Sequence, residues 1–345
     1  MSVSIVSSVT RISDIVTLPY AIEKLPKSQW SAGDYVVGEV TGTPTALYQV
    51  EKPSGRIVKA MPGDHVIGAF GNREATLEGV GSWSSIRGGK MHALTSAGVF
   101  GAFTSVSKIL PAPMSLRYRG HLLREGHKIR MSDFAISGTG QEFSAPVVFV
   151  VGTSMSSGKT TTAATIVHEL ASIGMKVVAA KLTGAGRYRD ILSFRDAGAT
   201  AIFDFVDAGL PSTVVSEKAF LAAIRPLISK MGSLKPDVLI VEAGASPLEP
   251  YNGAAAIKEL SQHIRCVVLC ASDPYAVVGV CKAFDLKPDV VCGPAASTSA
   301  AINLVRKLSG ILAINNLDPS ALPKLREVLE STLGVRFPPA KTQRS

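Results

Sequence analysis

Residues 147–161 read VVFVVGTSMSSGKTT, an apolar run that breaks into a Gly/Ser-rich turn and then Gly-Lys-Thr. These types at this spacing suit polyphosphate binding. Successive backbone N–H groups cradle a di- or triphosphate, Lys159 reaches the β- and γ-phosphates, and the Thr160 hydroxyl ligates Mg²⁺. The nucleotide-binding set is Gly152, Thr153, Ser154, Ser156, Ser157, Gly158, Lys159, Thr160 and Thr161. Five residues, one more than usual, separate Gly152 from Gly158, and Thr153 holds the usual place of the first glycine. Ala163, Ile166, Val167, Leu170 and Ile173 then recur at helical spacing, and Gly174 ends that helix. Its N-terminal dipole would face the same anion.

In open α/β sheets ligands bind beyond the carboxyl ends of the strands. After the second predicted strand comes AAKLTGAGRYRD. Lys181 ends the strand and offers a second cation. Arg187 and Arg189 offer bidentate recognition of an acidic substrate. Asp190 would orient a Mg²⁺-bound water or ligate the metal; the plainer reading is an acid at a helix N-terminus. After the fourth strand comes VLIVEAGASPLEPYNG. Glu242 closes a buried apolar run, where a carboxylate needs a partner. Mg²⁺ is one such partner, and a nearby arginine or backbone donor is the other. Glu249, Tyr251 and Asn252 would face a substrate, Asp204 would approach the site, and Asp207 would approach it or serve equally well as a helix cap or turn residue. Gly293, Pro294 and Ala295 would border a base, and Asn315 and Asn316 would hydrogen-bond it.

The elements that must position these residues divide the chain in two. Residues 1–140 read as a β-rich domain, a small barrel or sandwich. Its strands fall near 35–40, 46–50, 65–70, 75–80, 98–106 and 116–123, with Gly, Pro and Asp turns between them. Ser137–Gln141 is the linker. Residues 146–335 alternate strands, near 147–152, 176–182, 201–206, 237–243, 265–271, 289–292 and 311–315, with helical patterns. This predicts an α/β domain, a P-loop parallel sheet with helices on both faces. Residues 336–345 form a disordered tail.

The chain has 345 residues, 46% of them hydrophobic, and a formal net charge of +9. The basic excess suits anions, and no apolar stretch reaches the length of a membrane span. The N-terminus lacks the pattern of a signal peptide, so a cytoplasmic location is expected. The four cysteines read as core thiols, because no metal-ligand spacing accompanies them. The basic run RYRGHLLREGHKIR reads as a solvated hairpin, so nucleic acid is a permitted but not a favoured partner. A homo-oligomer is expected.

The lengthened loop GTSMSSGKTTTA resembles that of dethiobiotin synthetase. VEAGA at 241–245 resembles its segment with a metal-binding glutamate, and Lys181 resembles a lysine at the end of its second strand. Over about residues 147–315 the resemblance implies ATP, Mg²⁺ and activation of a carboxylate or carbamate by phosphoryl transfer, a kinase- or ligase-like role. Lys181-Leu182 replaces the usual Lys-Pro, and VEAGA lacks the full glycine run. The layout is also similar to a P-loop group that includes D-glutamate N-acetyltransferase-like proteins, which implies that the loop holds the diphosphate of CoA for N-acyl transfer. AAKLTGAGR loosely resembles a loop of polynucleotide 5′-hydroxyl kinases. A regulatory switch ATPase of the partitioning type would carry an early lysine where Ser154 stands.

Overall fold

A computed structural model describes residues 4–140, 143–244, 246–284 and 286–338. Five strands of the first half close a ring. Tyr35–Thr41 pairs antiparallel with His65–Phe70 and with Ser115–Arg124. Ser115–Arg124 pairs with Lys90–Ala93, which pairs with Val99–Val106. Val99–Val106 then returns to His65–Phe70 in parallel, and the small barrel is complete. The segment expected to be one strand at 75–80 is instead the turn of a hairpin, Asn72–Ala75 with Gly79–Ser82, which pairs along Val99–Val106.

Side chains of a strand alternate between two faces, and here both faces are buried. Along Tyr35–Thr41, Val36 and Val40 point into the barrel with Val66, Phe70, Phe100 and Leu116. Tyr35 and Val37 point outward, into a core shared with Phe149, Val151, Val206 and Phe220 of the second half. The two halves are therefore welded by a common apolar core.

The second half is a six-stranded parallel sheet in the order Ala201–Asp204, Val177–Thr183, Val238–Ala243, Val147–Gly152, Ile264–Cys270, Val290–Cys292. Helices Lys159–Ser172 and Tyr188–Asp196 cover one face, through residues such as Ile166, Leu170 and Phe194. Helix Glu217–Ser233 covers the other, through Phe220, Ile224 and Leu227. Apolar runs covered on both sides give the strands their unbroken hydrophobic sequence.

The expected seventh strand at 311–315 is reduced to one parallel bridge, Ala313 with Val291. Its neighbour Val290–Cys292 is only three residues long, and the pairing stops at two hydrogen bonds about Val291. At the end expected to be loose, Phe337 packs beneath the Arg326 guanidinium and donates its N–H to Glu330. Residues 339–345 of that tail, and Gln141 of the linker, lie outside the described residues. Among those described, no helix is long and apolar enough to cross a membrane.

Candidate functional site

The loop leaves the central strand Val147–Gly152 and enters helix Lys159–Ser172. Gly158 precedes that helix with φ +88°, a conformation that favours glycine. Gly152 is required for a different reason. A Cβ there would lie 2.6 Å from Cδ of Lys159, whose stem runs back over the strand end. The Lys159 ammonium donates to the Ser154 carbonyl at 2.6 Å and to Ser157 Oγ at 3.3 Å. Burial lowers its pKa, and the Glu242 charge opposes that shift. Thr153 serves the loop's edge, since its hydroxyl accepts from the Ser272 N–H at 3.0 Å.

Lys181 and Glu242 are direct neighbours on adjacent parallel strands. Lys181 Nζ lies 3.7 Å from Glu242 Oε1 and in close contact with Asp190, the third residue of helix Tyr188–Asp196. Burial alone would lower the Lys181 pKa, but Asp190 and Glu242 together carry it above its ordinary value. Burial works against the Asp190 carboxylate, yet Lys181 and then Arg187 hold its pKa below the usual range. Arg187 approaches the other Asp190 oxygen at 3.5 Å. The second oxygen of Glu242, Oε2, is buried without a hydrogen-bond partner.

A cavity of about 490 Å³ opens above these groups, a size typical of small-molecule sites. Lys159, Thr160, Thr161, Ser156, Gly158, Lys181, Glu242, Arg187, Arg189 and Asp190 all line it. Gly152, Ser154 and Ser157 of the expected binding set are buried and do not line it. Sequence reasoning missed the facing wall, which belongs to the barrel and includes Arg73, Glu78, Thr95, Leu47, Ile57, Phe103 and Val106. The cations of the lining outnumber its acids, Glu78, Asp190 and Glu242, so the cleft suits a polyanion.

The barrel also sets the geometry of the helix that carries Asp190. Arg187, at its N-cap, supplies no side-chain cap. Glu51, fully buried in the first half, accepts instead from the N–H groups of Tyr188 at 2.8 Å and Arg189 at 2.9 Å, and from Ser8 Oγ. No local signal announces a cap that lies 137 residues away in sequence.

Other candidates take structural roles. Glu249 accepts from the Thr76 N–H and hydroxyl, and the Tyr251 hydroxyl accepts from the Glu74 N–H, so both join the halves rather than face the cavity. Asn252 donates to the carbonyls of Thr213 and Val215. Asp204 and Asp207 share Arg11, at 2.7 and 2.9 Å. In the basic hairpin, Arg119 pairs with Glu39, Arg124 with Asp14, and Lys128 and Arg130 with Asp34. Burial pushes the Cys270 thiol up to about 12, and all four cysteines are free.

A family model described as a domain of unknown function (DUF1611_C) P-loop domain matches residues 135–288. That description and the loop-on-strand geometry define a P-loop NTPase-type, nucleotide-binding domain. No curated protein matches the sequence. Similar solved structures include chloroplast FtsY from Physcomitrella patens, at 14% identity and a TM-score of 0.36 over 53% of this chain and 62% of that one. FtsY from Elizabethkingia anophelis in complex with GDP is similar at 17% identity and a TM-score of 0.36, over 52% of this chain and 58% of that one. HypB from Helicobacter pylori in complex with nickel is similar at 18% identity and a TM-score of 0.37, over 55% of this chain and 87% of that one. This chain thus spans less than two thirds of the length of either FtsY.

Proposed function

We propose that the protein binds Mg²⁺ and a nucleoside triphosphate, ATP by the resemblance of its loop, and uses them to activate a small acidic substrate by phosphoryl transfer. The observation that carries this reading is the arrangement of Lys159, Lys181 and Glu242 under one cavity. Phosphoryl transfer asks the protein chiefly for positioning and charge stabilisation. Lys159 is placed to neutralise the bound phosphates, and Lys181 is a second fixed cation beside it.

The residues present fit Mg²⁺. Glu242 Oε2 is a buried oxygen lacking a partner, the Thr160 hydroxyl lines the same cavity, and hard oxygen donors suit this ion. Bound there, Mg²⁺ would offset charge on the phosphates. Arg187 and Arg189 are the groups for the substrate's acidic end. Asp190 holds Lys181 and Arg187, so we assign it to positioning those cations ahead of metal binding. A small-molecule acceptor is preferred over nucleic acid because cations of the basic hairpin are committed to acids.

A second reading, N-acyl transfer with a CoA diphosphate on the loop, draws on the apolar part of the barrel wall. Leu47, Ile57, Phe103, Val106, Leu110 and Pro111 line the cavity opposite the loop and suit an extended, weakly polar arm.

The test is product formation from γ-labelled Mg·ATP or Mg·GTP with a panel of small amino and carboxylic acids, a 5′-hydroxyl RNA, and acetyl-CoA with D-amino acids but no nucleotide. Turnover that depends on a small acid supports the first reading. Acetylation without nucleotide supports the second and overturns the first, and label on RNA overturns both.

A further inference from the structure

One cation of the cleft belongs to the barrel and has no part in the loop chemistry above. Arg73 stands on the hairpin Asn72–Ala75/Gly79–Ser82 and lines the same cavity as Lys159. Its side chain is 16% exposed. One amino group donates to the Leu94 carbonyl and the other to the Glu78 carboxylate. The second amino group also lies 3.8 Å from Sδ of Met155, within the phosphate-binding loop itself. Arg73 Nε is buried and has no partner.

A thioether is a weak acceptor, whereas the guanidinium fork matches phosphate oxygens in charge and geometry. Arg73 is thus braced from the barrel side and poorly satisfied toward the loop. The hairpin that carries it is also fastened to the second half of the chain. Thr76 donates to Glu249 at 2.9 Å from its N–H and 2.7 Å from its hydroxyl, and Glu74 donates to Tyr251 at 2.9 Å. Glu249 and Tyr251 lie on the segment that follows the Glu242 strand, so the clasp fixes the height of Arg73 above the loop.

We propose that Arg73 is a phosphate-contacting residue supplied across the interface, which meets the terminal phosphate of a nucleotide on the loop in place of Met155 Sδ. This rests on the nucleotide reading above and adds a barrel residue to it.

The experiment compares affinities for AMPPNP and ADP, and for GMPPNP and GDP, all with Mg²⁺, in wild-type protein and Arg73→Ala. The expected result is a loss of roughly 10- to 100-fold for the triphosphate analogue that binds, the worth of a charge-assisted contact, with the matching diphosphate within about twofold of wild type. Equal affinities in variant and wild type, or equal losses for tri- and diphosphate, overturn the proposal while leaving the nucleotide reading in place. A wild-type protein that binds neither pair overturns both. If Arg73→Ala does not fold, Arg73→Gln keeps a donor for Leu94 and is read by the same ratios.

Discussion

Lys181 and Glu242 stand side by side on neighbouring parallel strands, Nζ 3.7 Å from Oε1, with Asp190 closing on the same ammonium from the helix beyond. Removing one partner of a buried ion cluster leaves the others uncompensated. Lys181→Ala is therefore expected to cost about 3–5 kcal/mol in urea unfolding. Lys181→Ala combined with Asp190→Ala should cost less than the sum of the two single changes. Additive costs would mean that the two side chains do not interact.

Glu51 predicts a second effect, at a distance from the cavity. Glu51→Ala strips an acceptor from two backbone N–H groups and from Ser8, and a buried donor left unsatisfied costs about 1–3 kcal/mol. The variant should lose roughly 3 kcal/mol in chemical denaturation. It should also weaken the acidic substrate more than the nucleotide, because Arg187, Arg189 and Asp190 share the helix end that Glu51 caps. Equal weakening of both ligands would contradict that assignment.

These two relationships mark what was legible in the sequence. The parallel sheet was, because strands buried on both faces leave apolar runs such as VVFVV and VLIV, and because the loop chemistry needs Gly-Lys-Thr at one strand end. Lys181 and Glu242 could be placed by the rule that ligands gather at carboxyl strand ends. Glu51, Arg73 and Arg11 could not, because each acts across the interface on a partner far away in sequence. Glu249 and Tyr251 looked like site residues for the converse reason: they follow the right strand, but their segment turns away to hold the barrel hairpin. The apolar run at 311–315 looked like a strand, and the short edge beside it leaves room for a single bridge.

The Arg11 cluster predicts a pH dependence. Burial first, and the neighbouring Asp204 charge, push Asp207 up to about 6, against the pull of Arg11. A carboxyl whose folded pKa exceeds its unfolded value binds its proton more tightly in the folded state. Its contribution to stability is full below the unfolded value near 3.8 and is lost as pH rises to about 6. Urea midpoints from pH 4 to 7 should show this decline, worth about 2 kcal/mol across that window, and Asp207→Asn should flatten it. An unchanged slope in the variant would place the titration elsewhere.

Gly152 predicts a loss of binding with little loss of fold. Its missing Cβ leaves the space through which the Lys159 stem passes, 2.6 Å from where a methyl carbon would sit. Gly152→Ala should displace Lys159 and weaken Mg·ATP about tenfold or more, the worth of one charge-assisted contact. Its thermal midpoint should stay close to wild type. Wild-type affinity in this variant would show that the stem can reroute.

The most direct test of the account is a calorimetric titration of wild-type protein and Lys159→Ala with Mg·ATP and Mg·GTP. The account predicts saturable one-to-one binding of at least one nucleotide to the wild type, weakened when EDTA removes Mg²⁺, and loss of that binding in Lys159→Ala with an unchanged melting curve. Undiminished binding by Lys159→Ala, or no binding of either nucleotide by the wild type, would contradict it.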